Sequence, residues 1–90
     1  MDLTLRKMEQ QILSAILERN GISGAELMKY TGVGRPKELI EPVRKLQANK
    51  LIEVSGDTLN EKQFPYASFG VLLRSKENLY DLLQEQSWST

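Results

Sequence analysis

The segment Ile22–Val54, ISGAELMKYTGVGRPKELIEPVRKLQANKLIEV, decides the fold, because it reads as two helices joined by a tight glycine-bearing turn and followed by a strand. Ser23 has the side chain of an N-cap. Glu26, three residues on, completes a capping box, and Ile22 and Leu27 flank the cap as a hydrophobic staple. The spacing therefore predicts a helix that opens at Gly24. It closes near Thr31-Gly32, where glycine can adopt the left-handed conformation. A second helix opens at Arg35-Pro36, since proline is favoured in a first turn, and Leu39, Val43 and Leu46 recur on one buried face. Leu51 to Val54 then reads as a strand.

Working outward, residues from about Leu3 to Arg19 form an opening helix with Leu5, Met8, Ile12, Ala15 and Ile16 on one face, stopped by a left-handed cap at Asn20-Gly21. A short strand precedes the second helix. A polar, turn-rich stretch from Ser55 to Pro65 leads to a return strand from Tyr66 to Leu73. A last helix begins after Ser75 and buries Leu79, Leu82 and Leu83, with Glu77 complementing its dipole. The expected fold is mainly α with a small antiparallel β wing: a three-helix core, a two-stranded wing and a C-terminal helix. One domain over residues 1–85 and a loose tail, 86–90, complete it.

The pattern resembles the winged helix-turn-helix regulators of bacteria and archaea. The residues that carry the resemblance are Val43, Leu46, Gln47-Ala48-Asn49-Lys50 and Leu51-Ile52, where a helix ends in leucine and polar residues before a leucine-isoleucine strand. Val71 to Lys76 resembles the strand-to-helix junction of that family, so the likeness covers roughly residues 5–84. It implies a regulator that docks its second motif helix in the major groove of duplex DNA. Two departures stand out. Lys50 occupies the place of the usual helix-ending glycine, which shifts the expected left-handed position to Asn49. Pro42 lies inside the groove-facing helix, so either one kinked helix runs from Pro36 to Ala48 or a shorter one begins near Glu41, the single helix being preferred because Leu39 continues the stripe of Val43 and Leu46.

Composition limits the function. Ninety residues form one domain, which buries only about 60–65% of its unfolded surface. Twelve basic and twelve acidic residues cancel, so no global field draws the chain to nucleic acid or to an anionic membrane. Between Lys29 and Lys50, however, six basic residues face two acidic ones. With no cysteine and no histidine, disulfides, thiolate metal sites and the usual general base are excluded, and no phosphate-cradling glycine motif appears; Gly32-x-Gly34 is too short. An enzyme is not expected, nor a cofactor. The absence of cysteine fits a cytoplasmic protein, and no apolar run approaches the length of a membrane span.

The candidate DNA-binding residues follow from the helix faces. Arg35 and Lys37 stand at the start of the second motif helix, Glu38, Glu41 and Lys45 project from it, and Lys29, Tyr30 and Thr31 end the helix before it; Arg44 also faces outward but is not among the expected contacts. The acids repel phosphate unless they accept a bond from a base amino group. The alternative is an ordinary solvated face with pairs such as Glu41 and Lys45 at four-residue spacing. On the wing, Asp57 and Glu61 outnumber Lys62, the one wing residue suited to phosphate, while Phe64, Tyr66 and Phe69 either cover the core or meet a partner.

Leu3, Leu13 and Leu17 widen the apolar arc of the first helix to roughly 200°, more than one face requires. Either the last helix covers Leu13 and Leu17, or a second copy does and gives a two-fold homodimer. Trp88 in the tail reads as an unpacked tail residue or an interface anchor. Winged helices also serve as protein-interaction modules, so a protein partner is the rival to DNA.

Overall fold

The computed structural model describes residues 5–72. The expected C-terminal helix, the tail, Trp88 and Leu3 lie outside the described residues. Elements run α1 (Lys7–Glu18), β1 (Ile22–Ser23), α2 (Gly24–Thr31), α3 (Lys37–Ala48), β2 (Ile52–Ser55), a 3₁₀ turn (Phe64–Tyr66) and β3 (Ser68–Val71). The sheet is antiparallel in the order β1-β3-β2, with Ile22 opposite Phe69 and Ile52 opposite Val71. The two wing strands thus share their sheet with β1. This is the winged helix-turn-helix fold.

Local chemistry sets the boundaries. α1 begins at Lys7, later than expected, because the Glu9 carboxylate turns back to accept the Arg6 backbone N–H at 2.8 Å and fixes the first turn there. Ser23 caps α2 as expected, its Oγ accepting the Glu26 N–H at 3.2 Å, and Gly32 closes it at φ 77°. Glu26 does not complete the box; its carboxylate pairs with the Arg19 guanidinium across the chain reversal. The wing strands start and end differently too. Tyr66 belongs to the 3₁₀ turn rather than to a strand, since Pro65 favours a tight turn and has no N–H for a ladder.

α3 is one helix from Lys37 with Pro42 inside it, so the division at Glu41 does not occur. Leu39, Val43 and Leu46 are fully buried beneath it, and burying each such side chain is worth about 1.5–3 kcal/mol, which offsets the bond that Pro42 cannot make. Its C-terminus corrects the sequence reading. Asn49 keeps φ −88° and donates from Nδ2 to the Lys45 carbonyl at 2.8 Å, while Lys50 takes the left-handed position at φ 59°. The Lys50 N–H reaches the Gln47 carbonyl and the Leu51 N–H reaches Leu46, which forms a Schellman closure on a residue with a Cβ.

A lysine there costs about 1–2 kcal/mol of local strain, and glycine would return about 0.5–1 kcal/mol of that as unfolded-state entropy. Lys50→Gly is therefore expected to stabilise the domain by roughly 0.5–1 kcal/mol, read as a higher urea midpoint at unchanged m. Asn49→Gly should instead destabilise it, because it relieves no strain and deletes the bond to Lys45. A Lys50→Gly variant weaker than wild type would contradict this account.

The core gathers α1, α2, α3 and the inner face of the sheet. Ile12, Leu13, Ile16, Leu27, Phe64 and Phe69 are all fully buried, with the two phenylalanine rings tilted at 5.5 Å between centroids. Phe64 and Phe69 thus cover the core as one reading had it. Tyr66, by contrast, is 83% exposed.

Candidate nucleic-acid interface

α3 turns three kinds of residue in three directions. Leu39, Val43 and Leu46 point into the core, and the exposed positions directly opposite them at 100° per residue are Lys37, Glu41, Arg44 and Ala48. Between the two arcs lie Glu38 and Lys45, on the flank facing a groove whose rim also includes Glu41 and Pro42 of α3 and Arg6, Met8 and Glu9 of the α1 end.

That flank is committed to the fold. The Lys45 ammonium sits 3.0 Å from Glu9 Oε1, and the Glu9 side chain is only 7% exposed, so Lys45 serves to neutralise a buried carboxylate and tie α3 to α1. The anticipated Glu41–Lys45 pair does not form. Glu41 lies instead 3.8 Å from Arg44, both side chains standing largely in solvent. Glu38 is engaged as well: its Oε2 accepts the Arg35 N–H at 3.4 Å and caps the start of α3.

The remaining candidates separate. Arg35 and Lys37 are exposed at the start of α3. Lys29 and Tyr30 are exposed on the last turn of α2, but they line a different cleft, floored by Ala15 and Ile22 and edged by Glu18, Arg19 and Glu26. Thr31 is half-buried and its hydroxyl donates to the Leu27 carbonyl at 2.9 Å, which leaves no proton for a phosphate. Lys62 is exposed on the wing loop. Asp57 there is structural, its Oδ1 accepting the N–H groups of Leu59 and Asn60.

Arg44 belongs to the exposed strip and Lys45 does not, the reverse of their weights in the sequence reading. Helical arithmetic does not separate them, since at 100° per residue Arg44 and Lys45 stand at similar offsets on either side of the direction opposite Leu39, Val43 and Leu46; the packing of Lys45 on Glu9 does. Glu9 had no signal at all. Its burial depends on where α3 crosses α1.

Leu13 and Leu17, expected at a dimer interface if not in the core, are 0% and 8% exposed and belong to the core cluster. Among the described residues no group of acidic side chains is placed to hold a metal ion, and no helix is long and apolar enough to cross a membrane.

No family model matches the chain, and no characterised protein matches it in sequence. The fold has solved counterparts. The chain is similar to ZitR of Lactococcus lactis, described as a zinc-responsive MarR family member, at 16% identity and a TM-score of 0.67, covering 100% of this chain and 58% of ZitR. BpsR of Bordetella bronchiseptica matches at 18% identity and TM-score 0.68, over 99% of this chain and 67% of that one. The adhesin competence repressor of Streptococcus pyogenes matches at 12% identity and TM-score 0.68, over 99% and 61%. Likeness at such identities carries the fold, which is that of winged-helix regulators. The chain spans about three-fifths of the length of these structures.

Proposed function

We propose that this chain is a sequence-specific DNA-binding regulator that lays the outward strip of α3 in a major groove and acts in the cytoplasm. The observation that carries the reading is the division of α3 into a buried face, a flank tied to α1 and an exposed strip bearing Lys37, Glu41 and Arg44. A helix held rigidly from behind, with charged side chains left in front, is what groove recognition needs. The likeness to BpsR, a protein whose DNA binding is regulated, supports the same reading.

In this reading Arg35 and Lys37 at the helix start contact phosphate, and Lys29, Tyr30 and Lys62 lie along the flanking backbone. Thr31, Glu38 and Lys45 act through the fold instead, the last two by fixing how α3 sits. A homodimer on a two-fold operator is compatible with the proposal, with its contacts outside Leu13 and Leu17. A protein-interaction module is the second reading, favoured by Leu59 and Tyr66, which stand 66% and 83% exposed on the wing.

Mobility shifts with mixed-sequence duplex at low salt test the proposal. Arg35→Ala or Lys37→Ala should each weaken binding about 5- to 10-fold, the size of one lost charged contact of ~1–1.4 kcal/mol. Affinity should fall with salt along a shallow slope, because few cations flank α3. A slope implying more than about six phosphates per chain would mean that a different surface meets the DNA. No shift at all would favour the protein partner.

A further inference from the structure

We infer that Glu41 and Arg44 form a base-reading pair that selects a cytosine and a guanine on neighbouring base pairs of the target. The inference rests on the DNA-binding reading above and adds which bases the site prefers.

The other long charged side chains of α3 beyond Lys37 are already held by the protein. Glu38 caps the Arg35 N–H, and Lys45 neutralises the buried Glu9. Glu41 and Arg44 are different: their side chains are 85% and 61% exposed and the ion pair between them is long, at 3.8 Å. An exposed pair of that kind is worth about 0–1 kcal/mol, so either partner can exchange it for a better one at little cost.

Their position then selects the partner. Glu41 lies at the centre of the strip opposite the core, past the helix start where Arg35 and Lys37 meet the backbone, and so it projects toward base edges. A carboxylate accepts and never donates. The groove-edge group that suits it best is the N4 amino group of cytosine. Arg44, three residues on, offers the fork of donors that matches guanine O6 and N7. Three residues advance ~4.5 Å along a helix, against a base-pair step of ~3.4 Å, which fits adjacent pairs. Arg44 also screens Glu41 from the phosphates on either side. Where no amino group faces it, Glu41 is repelled, so it contributes to specificity by penalising other sequences.

Selection from a randomised duplex library at low salt, with the 90-residue chain and its variants, tests this. Wild type should select a motif with adjacent cytosine and guanine. Glu41→Ala should reduce the preference at the cytosine roughly 5- to 150-fold while holding or raising affinity for other sequences, and Glu41→Gln should move the preference there toward adenine. Arg44→Ala should relax the neighbouring guanine by a similar factor. Both side chains are exposed, so the variants should keep the wild-type circular dichroism and melting temperature. If Glu41→Ala strengthens binding to all duplexes by one common factor, or if no position of the motif changes, the inference fails while the DNA-binding reading stands. If no duplex binds, both fail.

Discussion

Gly24→Ala should destabilise the domain by about 3 kcal/mol or more and lower its melting temperature by roughly 12–24 °C, taking ~4–8 °C per kcal/mol for a chain of this size. On propensity alone the change looks harmless, since alanine is a better helix former and Gly24 does not hold a left-handed conformation. Packing reverses the sign. A Cβ at this position would lie 1.9 Å from the Phe64 carbonyl oxygen and 2.8 Å from its carbon, contacts with backbone that no rotamer change can relieve. The start of α2 would have to withdraw from the 3₁₀ turn. The Gly24 N–H bond to the Ala67 carbonyl, 2.9 Å long, would stretch with it. Gly34→Ala is the control, because a Cβ there meets nothing within 4 Å. Thermal and urea unfolding of the pair measure the difference, and a Gly24→Ala variant within ~0.5 kcal/mol of wild type would refute the close approach.

Leu13→Glu should leave the chain unfolded at 25 °C, with no folded monomer recovered. Leu13 is fully buried in the hydrophobic core, so the substitution both removes leucine packing, worth about 2–5 kcal/mol, and buries a carboxylate in an apolar place. Together these match or exceed the whole stability of a domain this small, about 5–15 kcal/mol. Leu17→Glu should be damaging but milder, because Leu17 is 8% exposed near the end of α1. Circular dichroism and sedimentation of the two variants decide the matter. If either runs as a folded monomer derived from a dimeric wild type, the leucine faces a second copy after all.

The sequence by itself determined the order of the elements and most of their ends. Ser23 and Gly32 bound α2 through side-chain and backbone chemistry that is complete within a few residues, and the stripe of Leu39, Val43 and Leu46 both orients α3 and holds it together through Pro42. Such signals are local, so they are written in the chain. The exposed strip of α3 was legible in the same way, as the arc opposite the buried stripe.

Tertiary structure decided what depends on a distant neighbour. Lys45 leaves the DNA-facing set because Glu9, 36 residues away in sequence, waits beneath it. Gly24 matters because the Phe64-Pro65-Tyr66 turn folds back against the start of α2, and Leu13 and Leu17 count as core because the folded chain leaves them 0% and 8% exposed. Even the left-handed residue after α3 was settled this way. Asn49 suits that position better than Lys50 on local terms, yet Lys50 takes it, and with it Leu51 reaches the Leu46 carbonyl and Ile52 pairs in the sheet with Val71. Periodicity tells which face of a helix is apolar; only packing tells which of its polar groups are already taken.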